Sequence, residues 1–148
     1  MASKVIDVSI ATIRNYGSND VGPEGFIWGM ITRDVDDEQK FQSEDLFNGQ
    51  VYIPAGQSVT VGVNKRLTVN YFGQESPGHL NQMLVFRADL KQKFIYSGNL
   101  DEVPYFGPYS YKVRFEDIVG FHTFSVSYNT TRHDDIEVVY TVNLVSNY

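Results

Sequence analysis

The stretch "KVIDVSIATIR", residues 4–14, decides the fold class. Val5, Asp7, Ser9, Ala11 and Ile13 fall on one side of an extended chain, and Ile6, Val8, Ile10 and Thr12 on the other. That is the two-residue period of a strand, not the longer period of a helix. Both sides are fairly apolar, which predicts a first strand of about residues 4 to 14 lying centrally in a sheet. The following "NYGSNDVGPEG", residues 15–25, holds three glycines and a proline, a turn cluster. "FIWGMITRDV", residues 26–35, then resumes as a strand, so the first two strands are expected to form a hairpin or strand pair.

The same alternation continues outward. Further strands are predicted at QVYIPAG (50–56), SVTVGVN (58–64), RLTVNYF (66–72), MLVFRADL (83–90), KFIYSG (93–98), YKVRFEDI (111–118), HTFSVSYNT (122–130) and IEVVYTVNLV (136–145). Turn residues separate them at intervals of roughly ten residues. In "DVDDEQKFQSEDLFNG", residues 34–49, Ser43, Glu44 and Asp45 suit the cap of a short helix, while the acid content suits a surface excursion equally well. No internal repeat or linker interrupts the pattern. The expected architecture is all-β, a single-domain two-sheet β-sandwich over residues 1–148.

Composition agrees and narrows the function. A chain of 148 residues is long enough to bury its own core. Ten tyrosines and ten phenylalanines against one tryptophan favour strands. Twelve basic against eighteen acidic side chains give a net charge of −6, which repels phosphate backbones and argues against nucleic acid as a partner. With no cysteine, thiolate chemistry and Cys-ligated zinc are excluded. Lys4, Asp7 and Arg14 interrupt every apolar stretch near the start, so no signal peptide is expected, and no segment reads as a transmembrane helix. These features predict a protein held in the cytoplasm of its producer or released by an unconventional route.

Motifs for catalysis are weak. Asp34, Asp36, Asp37 and Glu38, and separately Asp134, Asp135 and Glu137, offer carboxylates for calcium in two loops, but "DVDDE" lacks the ligand spacing of an EF-hand loop. His79, His122 and His133 are too widely spaced for a zinc-protease motif and sit in no serine-triad context. "NTT" at Asn129 matches a glycosylation acceptor but reads more simply as a hairpin turn, and Lys65-Arg66 is too small for a nucleic-acid patch. No enzyme, metal or cofactor is expected.

"VPYFGPYSYK", residues 103–112, is more informative. Pro104 and Pro108 remove backbone donors, so part of the stretch belongs in a loop or along an edge. Four rings there fit either a recognition surface or side chains folded back onto the sandwich. Tyr and Trp suit boundaries, where the ring enters an apolar phase and the polar tip keeps a partner.

The order of motifs resembles the aegerolysins, small lipid-binding proteins. The resemblance is carried by "NYGSNDV" (15–21), Trp28-Gly29, "RDVDDE" (33–38), "NGQVYIPAGQSVTV" (48–61), Lys65-Arg66, "GQESPG" (73–78), the proline-aromatic stretch and the closing "YTVNLV" (140–145), and so spans nearly the whole chain. It implies a β-sandwich that binds a membrane sphingolipid headgroup, with or without sterol. Several relatives recruit a larger partner, often of the perforin type, to build a pore, and some such pairs kill insects.

On this resemblance the lipid-binding residues are Trp28, Glu75, Tyr105, Phe106, Tyr109, Tyr111 and Lys112. Glu75 would meet an amine and Lys112 a phosphate. The tyrosines and Phe106 would form an aromatic rim at one end of the sandwich. Tyr109 stands where the fungal proteins have tryptophan. Trp28 also fits a core position, since it lies in an apolar strand-like run. The alternative function is a calcium-dependent or carbohydrate-binding sandwich module.

Overall fold

The computed structural model describes residues 3–32, 40–70, 83–96, 99–106, 110–130 and 135–147. They form nine strands: β1 (Ser3–Asn15), β2 (Pro23–Thr32), β3 (Lys40–Gln50), β4 (Ser58–Asn70), β5 (Met83–Tyr96), β6 (Asn99–Pro104), β7 (Ser110–Arg114), β8 (Phe121–Tyr128) and β9 (Ile136–Asn147). One sheet has the order β4-β1-β9-β8, and the other β3-β2-β5-β6 with β7 also paired to β5. All named pairs are antiparallel. The predicted all-β, two-sheet sandwich is therefore the observed architecture.

β1 is central, between β4 and β9, as its two apolar faces require. Ile6, Val8, Ile10 and Ile13 are fully buried. Ile13 was expected on the opposite side from Ile10. A β-bulge corrects this: the register slips between Ile10 and Thr12 against both neighbours, so the face pointing inward changes at Ala11. Gly62 stands in the matching irregularity of β4 with φ 67°, a left-handed backbone that glycine adopts without steric cost.

The first two strands do not form a hairpin or pair; β1 and β2 belong to different sheets. The eleven-residue turn cluster gives the chain room to cross. Residues 40–50, expected as a capped helix or surface excursion, form the edge strand β3, with Ser43, Glu44 and Asp45 opposite Met30, Gly29 and Trp28. Leu46, 1 % exposed, anchors it to the core, and the acids suit an edge that must not recruit another strand. In QVYIPAG, Gln50 ends β3 opposite Glu24 and Ile53 bridges Val21, and the rest is outside the strands. The runs 58–64 and 66–72 join through Lys65 in one strand as far as Asn70, and 83–90 joins 93–96 in β5. YKVRFEDI stops being a strand at Arg114 and becomes a 3-10 turn, Phe115–Asp117.

Between the sheets the core is aliphatic with an aromatic centre. Phe86, Phe124 and Tyr140 pack with centroid separations of 4.8 to 5.6 Å, and the buried Tyr140 hydroxyl meets that of Tyr128 at 3.1 Å. β6 and β7 both pair along β5, at Lys91–Tyr96 and Met83–Arg87 respectively. They occupy the same edge of β5, β6 ending at Pro104 and β7 beginning at Ser110, both within the proline-aromatic stretch.

Candidate functional site

A cleft of about 410 Å³ opens where the edge strands β7 and β8 face each other from the two sheets. β7 contributes Lys112, Val113 and Arg114. The turn after it contributes Asp117 and Ile118, and β8 contributes His122, Thr123 and Phe124. Met83 and Val142 complete the apolar lining.

Strand alternation explains the charged wall. Val113 is half-buried against the core, whereas Lys112 and Arg114 on either side of it are exposed. The chain then leaves the sheet through the 3-10 turn, fastened by buried Phe115 and Ile118. Lys4 of β1 holds this turn from below: its Nζ donates to the carbonyl oxygens of Phe115 and Ile118, each at 2.8 Å, and lies 4.7 Å from the Phe115 ring centroid. Burial lowers the Lys4 pKa from its ordinary value, against the opposing pull of Glu116 and Asp117. Gly120, at φ 60°, turns the chain into β8.

The cleft thus gathers three basic side chains, Lys112, Arg114 and His122, with the carboxylate of Asp117, over an apolar floor. In a chain of net charge −6 this is a local concentration of donors. Arg and Lys suit a phosphate, and a nearby carboxylate suits an amine or quaternary ammonium.

Among the described residues expected from sequence, only Lys112 lines this cleft. Tyr105 is not part of a wet rim: it is 5 % exposed, and its hydroxyl donates to Gln92 Oε1 at 2.9 Å. The Tyr105 amide donates to the Leu90 carbonyl, continuing the contact with β5 past Pro104. Gln92 supplies the polar partner that lets the phenol be buried.

Phe106 is exposed, but it exchanges backbone hydrogen bonds with Asn129, 2.6 and 2.7 Å, past the far end of β8. From Thr123 to Asn129 the chain rises roughly 20 Å, so Phe106 and the cleft are apart. In backbone register Tyr111 stands in β7 opposite Phe86, and Trp28 stands in mid-β2 between Asp45 and Arg87. Glu75 and Tyr109 lie outside the described residues, as do His79, His133, Asp134 and the acidic run 34–38.

Arg114, Asp117 and His122 were not anticipated. The signal for Arg114 was present in "KVR", where two cations alternate around an apolar residue. Nothing local marks Asp117 or His122, which join Lys112 in lining the cleft through the crossover between the sheets. Among the described residues no group of three or more His, Cys, Asp or Glu is placed to hold a metal ion, and no helix is long and apolar enough to cross a membrane. Compared with protein-family models and with curated protein sequences, the chain matches none.

Proposed function

We propose that this chain is a non-enzymatic reader of membrane lipid, binding a zwitterionic phospho-headgroup of the sphingomyelin or ceramide phosphoethanolamine type in the cleft between β7 and β8. One observation carries the reading: Lys112, Arg114 and His122 line the same cleft as Asp117. Phosphate would meet the cations and the headgroup nitrogen the carboxylate. The resemblance to aegerolysins, carried by the order of sequence motifs, supports a sphingolipid target, with or without sterol. It also supports a role as the lipid-binding half of a two-component pore-forming toxin, of the kind that includes insecticidal pairs. On this reading bilayer perforation falls to a larger partner, perforin-type or of another pore-forming class. Clustering on the membrane would turn weak single-site affinity into firm attachment.

The test is co-sedimentation with vesicles of phosphatidylcholine alone, or with sphingomyelin or ceramide phosphoethanolamine added, each with and without sterol. Wild-type chain sediments with at least one sphingolipid mixture, and Lys112→Ala with Arg114→Ala abolishes this while the melting temperature is kept. Retained binding by the double variant overturns the cleft assignment. Loss of binding with a calcium chelator supports instead the calcium-dependent module.

A further inference from the structure

Three exposed apolar side chains gather at the cleft end of the sandwich. Val119, Phe121 and Val145 are 53 %, 65 % and 42 % exposed. Gly120 carbonyl oxygen accepts a hydrogen bond from the Leu144 amide at 2.8 Å, and Phe121 pairs with Asn143. The turn carrying Val119 and Phe121 is thereby fixed beside the end of β9, one residue short of Val145.

Single exposed apolar residues are ordinary on a protein surface. Here two separate segments are tied together by a backbone bond, and a cationic cleft lies behind them. Phe121 and His122 are successive strand residues, so they project to opposite faces; His122 lines the cleft. An apolar tip with cations set back from it matches the layering of a bilayer surface, acyl chains below and phosphates above.

We infer that Val119, Phe121 and Val145 form a ledge that enters the headgroup–acyl boundary of a membrane and so brings the cleft to the depth of the phosphates. The inference rests on the lipid-binding reading above and adds to it the surface that inserts. A freely dissolved phospho-compound would need the cleft but not the ledge. Glu116 and Asp117, exposed on the same turn, oppose a net-anionic surface, so the occupant is a zwitterionic bilayer.

The experiment uses the full chain and a Val119→Ser, Phe121→Ser, Val145→Ser triple variant. Vesicles of phosphatidylcholine with sphingomyelin, and with ceramide phosphoethanolamine, are titrated, alongside dissolved phosphocholine and phosphoethanolamine followed by NMR. The triple variant loses vesicle affinity by about tenfold or more, from the apolar area no longer buried, and keeps its response to the dissolved headgroups. Undiminished vesicle binding overturns the ledge and leaves the cleft reading standing. Absence of wild-type binding to every vesicle overturns both. A wild-type dimer that the triple variant loses, with vesicle binding unchanged, overturns the ledge in favour of a second copy of the chain. Phe121→Trp probes the same point while preserving apolar area: its added emission shifts to the blue with bound vesicles, and emission left unshifted overturns the inference.

Discussion

Lys4 Nζ donates to the carbonyl oxygen of Phe115 at 2.8 Å and lies 4.7 Å from the centroid of that residue's ring. One ammonium thus joins β1 to the turn that walls the cleft, across 111 positions of sequence. Lys4→Met keeps the aliphatic stem but leaves the carbonyls of Phe115 and Ile118 without this donor. We expect a loss of about 2–4 kcal/mol in urea unfolding, with weaker headgroup binding because Asp117 and Ile118 shift. Unchanged stability would show that water replaces the ammonium at no cost.

Tyr105→Phe separates a core role from a lipid-contact role. Only the hydroxyl that meets Gln92 is removed, and Gln92 Oε1 still accepts from the Gly22 amide at 2.9 Å. Stability should fall by about 0.5–1.5 kcal/mol, and vesicle binding should stay at the wild-type level. Lost vesicle binding in a stable variant would return Tyr105 to the membrane site.

Alkaline pH should destabilise the fold through Tyr128 and Tyr140. Burial raises both pKa values, that of Tyr140 well above the ordinary 10. Above the unfolded value the unfolded chain releases these protons while the folded chain holds them, so stability falls as pH rises. The contribution is complete below about pH 10 and is lost progressively above it. Tyr140→Phe should flatten this decline, while costing about 0.5–1.5 kcal/mol at neutral pH through the lost hydroxyl pair. Denaturant midpoints measured from pH 8 upward check both.

Gly25 is constrained by its neighbour as well as by its backbone. Its φ is 145°, and a Cβ there would stand 2.1 Å from the Asp89 carbonyl oxygen. Gly25→Ala must push β2 from β5 and should cost at least about 2 kcal/mol in chemical unfolding. A neutral result would mean the two strands separate locally without cost.

Period-two alternation made the strands legible because burial on one face is a local property of sequence. It could not show that β1 and β2 enter different sheets, since the turn between them allows either pairing or crossing. The bulge at Ala11 was hidden for the same reason: an extra residue is visible only against its neighbours. The family resemblance pointed to Lys112, which stands on the cleft wall, whereas Asp117 and His122 join that wall only through the crossover at Phe115–Gly120. Tyr105 misled because its proline neighbours suggest a surface loop; the partner that permits its burial, Gln92, is thirteen positions away.

The most direct test of the cleft is titration of the isotope-labelled chain with phosphocholine and phosphoethanolamine, following the backbone amides by NMR. Lys112, Arg114, Asp117 and His122 should shift together and saturate. Shifts confined to Phe106, Asn129 and their neighbours at the far end of the sandwich, with the four cleft residues unmoved, would contradict the account.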